Sequence, residues 1–255
     1  MDQDGFYGAQ QAAIHHHRFG DLSHDAARLL AGILVGRGLI EGTVTDLGCG
    51  SGILARVMSD LGYDVLGVDL SPDMLALAQQ NAPRARFRNE SLVDAEIPPS
   101  VAVSAVGEAL NYATDPRAGL TATTDVAQSV FDALAPGGVF LFDVATPGRN
   151  LGLEVRERIH DHDDWTLVMR ATEIEHRLDR RITIFSLEPD GHWSRVDEHH
   201  VTHLYDPDEL TTVLTAIGFE VETRDSYGAD HGDSTPPAGW TVVVATKPSR
   251  TDLKR

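Results

Sequence analysis

Cysteine is almost absent from this chain: Cys49 stands alone, so no internal disulfide can form and a cysteine-rich zinc site within the chain is excluded. A lone cysteine agrees with a reducing compartment, and a cytoplasmic protein is expected. Basic residues are scarce as well, 21 Lys and Arg against 39 Asp and Glu, which gives a formal charge of −18. So anionic a surface repels phosphate backbones and anionic membranes, which argues against nucleic acid or membrane as partners. The excess would suit a cationic substrate, although solubility accounts for most of it. No apolar run approaches the roughly 20 residues that cross a bilayer. The opening Met1-Asp2-Gln3-Asp4 is acidic where a secretory signal is basic. What remains is an ordinary globular composition, 42% hydrophobic and 24% charged. Its 255 residues suffice for one large α/β domain, or one such domain with an insertion.

The apolar pattern alternates between two periods. Leu22, Ala26, Leu29, Leu30, Ile33 and Leu34 recur at helical spacing, which predicts a helix over 22–38 with Ser23 as its cap. Strand 44–47, helix 52–61, strand 65–68, helix 72–81 and a short strand 84–88 follow. A fourth strand is read at 101–106, a helix at 125–134 and a fifth strand at 138–144, with Pro136-Gly137-Gly138 as the turn before it. Strands alternating with helices imply parallel strands joined by crossovers, hence a doubly wound sheet.

After residue 150 the pattern changes. Segments 165–177, 181–187 and 192–205 are rich in Thr, Val, Ile and aromatics and are joined by polar turns, which reads as an antiparallel insertion. A helix at 207–217 resumes the main domain and leads to strands 219–227 and 240–246, which lack a helix between them and so run antiparallel. The expected fold is α/β: a doubly wound, mostly parallel seven-stranded sheet with a reversed C-terminal hairpin, plus an antiparallel β insertion. Its expected divisions are an N-terminal lid and helix at 1–40, a core at 41–149 and 206–248, and a substrate-side insertion at 150–205.

The segment Val44-Thr45-Asp46-Leu47-Gly48-Cys49-Gly50-Ser51-Gly52 runs off the first strand through a glycine loop into a helix. Glycines accept torsions that other residues resist and let a ligand approach the main chain. Open α/β sheets bind ligands at the carboxyl ends of their strands, where this loop sits. One βαβ unit on, Gly67-Val68-Asp69-Leu70-Ser71 ends with a carboxylate able to accept hydrogen bonds from the two hydroxyls of a ribose. A dinucleotide fingerprint beginning at Gly48 would require glycine at position 53, which is Ile53. Asp46 would also sit awkwardly beside a pyrophosphate, yet it suits an ammonium group.

Asp46-Leu47-Gly48-Cys49-Gly50-Ser51-Gly52 resembles the first motif of class I S-adenosylmethionine-dependent methyltransferases. Gly67 through Leu75 (Gly-Val-Asp-Leu-Ser-Pro-Asp-Met-Leu) resembles their second motif. The likeness implies that the loop around Gly48 and Gly50 holds the methionine portion of S-adenosylmethionine, with Asp46 near its amino group. It further implies that Asp69 binds the ribose and that Leu70 or Met74 flanks the adenine. Where such enzymes often place Asp beside the adenine amine, this chain reads Asn89-Glu90-Ser91-Leu92: Ser91 falls at that position, Glu90 is its substitute, and Leu92 is the apolar wall. Gly107-Glu108-Ala109-Leu110-Asn111-Tyr112 resembles the Gly-x-x-x-Asn-Tyr pattern of a bacterial small-molecule branch, in which Gly107 and Glu108 lie beside the cofactor and Asn111 and Tyr112 face the acceptor. Capping and packing are the plainer roles for Asn111 and Tyr112. The segment from Ala13 to Asp21 resembles the N-terminal stretch lying over the cofactor site in that branch.

The expected reaction is transfer of the sulfonium methyl to N or O of a small molecule. The alternative for the same motifs is a non-catalytic, S-adenosylmethionine-binding regulatory protein. Where the acceptor must lose a proton, Glu108 or a pocket histidine is the candidate base, and from the N-terminal stretch Tyr7 and His15 are the catalytic candidates. Phe19, Trp165, His203 and Tyr205 join Asn111 and Tyr112 as acceptor contacts. His199, His203 and Tyr205 share one face of a strand with His200 on the other, but no acidic third ligand accompanies them, so no metal is expected. The partners expected are a small-molecule acceptor and, compatible with the sequence, a second copy of the chain in a homodimer.

Overall fold

A computed structural model of the chain describes residues 9–150, 155–188, 190–228 and 238–249, with side chains from residue 20 onward. In chain order the elements are α1 (Ala9–Gly36), β1 (Thr43–Leu47), α2 (Ile53–Asp60), β2 (Asp64–Asp69), α3 (Pro72–Asn81), β3 (Arg86–Asn89), β4 (Ser100–Ala105), a 3-10 turn (Ala109–Asn111), α4 (Leu120–Ala133) and β5 (Leu134–Ala145). Four further strands, β6 (Arg156–Asp161), β7 (Trp165–Ile174), β8 (Arg177–Leu187) and β9 (Trp193–His203), precede α5 (Pro207–Ile217), β10 (Glu220–Arg224) and β11 (Trp240–Thr246).

One sheet has the order β10-β11-β5-β4-β1-β2-β3, parallel throughout except for β11, which is antiparallel to both β5 and β10. The order reverses at β1, so the carboxyl ends of β1 and β4 open a crevice at the switch point, where sheets of this kind take their ligands. Each face of the sheet carries its own apolar layer. On one side Leu47, Val68, Phe140 and Phe142 pack with Leu210 and Leu214 of α5; on the other Val44, Leu141 and Val244 pack with Leu30, Leu34 and Met58 from α1 and α2. Each of these large side chains contributes about 1.5–3 kcal/mol by leaving water. The doubly wound reading of the sequence is borne out, reversed hairpin included.

Local chemistry fixes the element ends. Ser71 accepts from the Met74 N–H and Pro72 occupies the first turn of α3, while Asp206 caps α5 through the N–H groups of Asp208 and Glu209. Gly218 closes α5 at φ 118°, a conformation other residues resist.

The second sheet has the order β6-β7-β8-β9 and is antiparallel throughout. It meets the first at the carboxyl end of β4, where Tyr112 bridges Thr202 and the Asn111 amide donates to the carbonyls of Ala145 and His203.

Several boundaries differ from the sequence reading. α1 begins at Ala9 rather than 22. The Pro136-Gly137-Gly138 turn lies inside β5, because Leu134 pairs with Ser100 before a bulge that re-registers Val139 on Ala102. β6 escapes notice because all six of its residues are exposed and show no apolar alternation. The β7–β8 turn is Glu175-His176, earlier than the polar stretch suggested. Its Glu175 has φ 52° without being glycine, so no turn residue announces it.

Candidate active site

A cavity of about 900 Å³ runs from the glycine loop to the inner face of the second sheet. Gly48, Gly50 and Gly52 all have φ between 52° and 76°, each for a different spatial reason. A Cβ on Gly48 would meet Ala109 at 2.7 Å and one on Gly52 would meet Ala78 at 3.0 Å, whereas one on Gly50 would meet only Met74 Sδ at 4.0 Å. The first and third glycines thus permit close packing, and the second keeps the cavity open. The Gly48 and Cys49 N–H groups donate to the Val68 carbonyl, at 2.7 and 3.0 Å.

Asp69 lines the cavity at the end of β2 and accepts from the Gly50 N–H (Oδ2, 2.8 Å) and the Ser71 N–H (Oδ1, 2.8 Å). A carboxylate has about four acceptor sites, so capacity remains on the cavity side for a hydroxyl donor. Burial pushes its pKa up, against hydrogen bonds from the main chain of Ser71, Gly50 and Leu70. Asp46 is buried behind the cavity wall rather than on it, and its Oδ1 accepts from Ser104 Oγ at 2.7 Å. Burial, opposed by Ser104 and helped by nearby Asp69, pushes Asp46 up to about 7. An ammonium group brought near would pull it back down. Leu70, Met74, Ser91, Leu92 and Gly107 all line the same end of the cavity. Ser91 donates to Asp115 Oδ2 at 2.6 Å, so its proton is already engaged. Glu90 is paired with Arg88 and does not line the cavity.

Beyond this end, Asp143 of β5 gathers four donors on one buried carboxylate: the N–H groups of Gly107 (2.7 Å) and Glu108 (2.6 Å), Tyr227 Oη (2.5 Å) and Trp240 Nε1 (3.0 Å). They hold the turn after β4 in shape, with Gly107 at φ 82° and Glu108 at φ 61°. Glu108 is thereby aimed at Arg149 Nε (2.8 Å) and an Arg180 guanidinium nitrogen (2.7 Å).

Glu108 requires a correction. Burial works to raise its pKa, but Arg180 and then Arg149 outweigh that and hold it below the usual carboxylate range. A carboxylate so engaged is a tie between elements and does not fit a general base.

Four acceptor candidates also differ from expectation. Asn111 is fully buried and spent on the main chain of Ala145 and His203. Tyr205 is buried, with its hydroxyl donating to the Leu110 carbonyl and lying 3.0 Å from Thr123 Oγ1. Trp165 stacks on His162 at the start of β7, and neither it nor His203 is part of the cavity wall. His203 has its pKa lowered by burial and by Arg177. Tyr112 does line the cavity, with its ring edge-on to His200 at 5.7 Å. Tyr7 lies outside the described residues; His15 and Phe19 fall on α1 where side chains are not described.

The sequence reading missed most of the far wall. Arg156, Arg158 and His160 of β6, Leu167, Met169 and Ala171 of β7, Leu178, Arg180 and Ile182 of β8 and His200 of β9 all face the cavity. They form one side of the pleat, for Arg156, Ala171, Arg180 and His200 are successive cross-strand partners. His200 is buried with its Nε2 2.8 Å from Glu198, itself buried. Period-two spacing from Arg156 to His160 was the available signal, hidden by the lack of apolar alternation.

A glycine loop and an acidic strand end at the switch point of a seven-stranded sheet with a reversed hairpin define the class I methyltransferase architecture. The chain matches the family described as a methyltransferase domain over residues 14–224, and it belongs to that family. It is 29% identical over 207 residues to a putative methyltransferase of Geobacillus sp. strain WCH70, covering 76% of this chain and 78% of that one. Its fold is similar to a S-adenosylmethionine-dependent methyltransferase from Clostridium acetobutylicum, with TM-score 0.79, 17% identity and coverage of 94% and 98% of the two chains. It is also similar to an amino pentose methyltransferase from Micromonospora echinaspora, with TM-score 0.70, 20% identity and coverage of 97% and 100%. The chain is therefore an enzyme of the methyltransferase class, for which S-adenosylmethionine is the cofactor. Among the described residues no helix is long and apolar enough to cross a membrane.

Proposed function

We propose that this enzyme transfers a methyl group from S-adenosylmethionine to a nitrogen or oxygen of a small acceptor held between the glycine loop and the second sheet. The observation that carries this reading is the single cavity of about 900 Å³ joining Gly50 and Asp69 to the wall around His200. Its size falls within the usual range for small-ligand sites. The open Gly50 position, the Asp69 carboxylate on the cavity wall and the apolar flanks Leu70, Met74 and Leu92 fit the cofactor's shape and polarity.

When bound, that cofactor supplies a methyl group already activated on a sulfonium, which leaves orientation, water exclusion and proton handling to the chain. Asp69 holds the ribose end, and the Gly48 and Gly50 main chain approaches the methionine end. Tyr112 and the apolar residues of β7 and β8 exclude water from the acceptor. With Glu108 committed to two arginines, the proton acceptor on the cavity wall is His200, oriented by Glu198. An acceptor that arrives as a neutral amine needs no base.

The test is calorimetric binding of S-adenosylhomocysteine, followed by methyl transfer from labelled S-adenosylmethionine to a panel of amines, phenols and carboxylates. Absence of cofactor binding sinks the reading. Cofactor binding without turnover on any acceptor favours a regulatory protein instead.

A further inference from the structure

We infer that the acceptor carries an oxyanion, a phosphate or a carboxylate, which seats on the guanidinium groups of Arg156 and Arg158 at the mouth of the cavity. The inference rests on the methyltransferase reading above and narrows its acceptor. Among the described residues four arginines line the cavity, and they fall into two kinds. Arg149 and Arg180 are both spent on Glu108. Among the described residues, Arg156 and Arg158 have neither a carboxylate nor a hydrogen-bond partner, in a chain where acids outnumber bases 39 to 21.

The arrangement of β6 explains how they stay unpaired. It is the edge strand of the second sheet, and it sorts its charge by face: Glu157 points away from the cavity and pairs with Arg170 of β7, while Arg156, Arg158 and His160 face inward. Their cross-strand neighbours are Ala171, Met169 and Leu167, so an apolar bed supports the arginine stems and among the described residues no acid stands opposite them on β7. Residues two apart on one strand face stand about 7 Å apart, which lets two guanidinium forks grip one phosphate, diphosphate or carboxylate from adjacent sides.

The cavity is polarised as a result. Of the aspartates lining it, Asp69 and the Ser91-bonded Asp115 lie toward the glycine loop, where a sulfonium and an ammonium belong, and Asp21, Asp25 and Asp225 come from α1 and the segment after β10 rather than from the second sheet. Toward the second sheet Arg149 and Arg180 together exceed the single charge of Glu108, and Arg156 and Arg158 add two cations that have no carboxylate partner among the described residues. This local sign is opposite to the formal charge of −18, so the cavity offers an anion an attraction that the net charge of the chain does not.

The test needs no identified acceptor. Inorganic pyrophosphate and succinate are titrated calorimetrically into the complex with S-adenosylhomocysteine, for the wild type, the R156A/R158A variant and the outer-face variant Arg170→Ala. We expect saturable wild-type binding of at least one anion, weakened at least tenfold in R156A/R158A and changed less than twofold in Arg170→Ala, with S-adenosylhomocysteine affinity within twofold throughout. Preference for pyrophosphate assigns a phosphorylated acceptor, and preference for succinate a carboxylate. If neither anion binds the wild type, or R156A/R158A binds as well as wild type, the inference is overturned while the methyltransferase reading stands. Failure of S-adenosylhomocysteine to bind any of the three proteins strikes the methyltransferase reading itself, and this inference with it.

Discussion

Replacing Asp46 by Asn removes a charge from a site where burial makes that charge costly. Asp46 is fully desolvated, with one hydrogen bond from Ser104 and the negative Asp69 nearby, and its pKa rises from an ordinary 3.8 to about 7. That displacement corresponds to roughly 4 kcal/mol as an upper value. An acid whose folded pKa lies above its unfolded one contributes its full stability below the unfolded pKa and loses it as pH rises through the folded pKa. The wild type should therefore lose stability between about pH 4 and pH 7 that Asp46→Asn keeps, since Asn preserves the Ser104 contact without ionising. Urea denaturation of both proteins across pH 4–8 measures the gap, expected near zero at pH 4 and up to roughly 4 kcal/mol in favour of the variant at pH 8. Asp143 is shifted in the same direction but contributes equally to both proteins, whereas Asp69, coupled to Asp46 by charge, is eased in the variant and adds to the gap in the same direction. The same linkage reaches the cofactor. A cationic amino group arriving near a half-protonated carboxyl expels up to about half a proton at pH 7, read by calorimetry in two buffers of different ionisation heat. A stability gap independent of pH, or equal proton release by wild type and Asp46→Asn, would refute the reasoning.

Four further outcomes are expected. Asp69→Ala should weaken S-adenosylhomocysteine binding by about 2–4 kcal/mol in calorimetry, and should lower Tm because the Gly50 and Ser71 N–H groups lose their acceptor. Gly50→Val should abolish that binding, since its side chain enters the cavity from a backbone at φ 52°; a folded variant that binds tightly would show the loop is misassigned. Glu108→Gln should destabilise the fold by about 3 kcal/mol in denaturant titration, because two part-buried guanidiniums lose their buried counter-charge. Tyr205→Phe should cost about 1–2 kcal/mol of stability and leave acceptor kinetics unchanged, and a tenfold change in acceptor KM would return Tyr205 to the substrate site.

The cofactor end was legible because its chemistry is contiguous: Asp46 to Gly52 and Gly67 to Met74 are short runs whose spacing alone carries the strand-loop-helix geometry. The acceptor end is assembled from alternate residues of four strands, and the register that unites Arg156, Ala171, Arg180 and His200 is set by pairing rather than by neighbours in sequence. Glu108 misled for the same reason. Its partners lie 41 and 72 residues away, so nothing near it announces two arginines. Tyr205 was read by residue type and Asn111 from a motif resemblance that left packing as its plainer role, and the polar atoms of both are committed to main-chain groups of the elements they join.

The three-residue tie of Glu108, Arg149 and Arg180 bears on how such enzymes can be recombined. Arg149 belongs to the segment after β5 and Arg180 to the second sheet, while Glu108 belongs to the turn after β4. A chimera that takes its acceptor-side sheet from another methyltransferase without an arginine at the place of Arg180 inherits a buried carboxylate with half its compensation gone. Removing one partner of such a pair costs about 3–5 kcal/mol, a large share of a domain's total stability. Transplanting specificity onto this scaffold is therefore a matter of moving charge partners together with the strands that bear them.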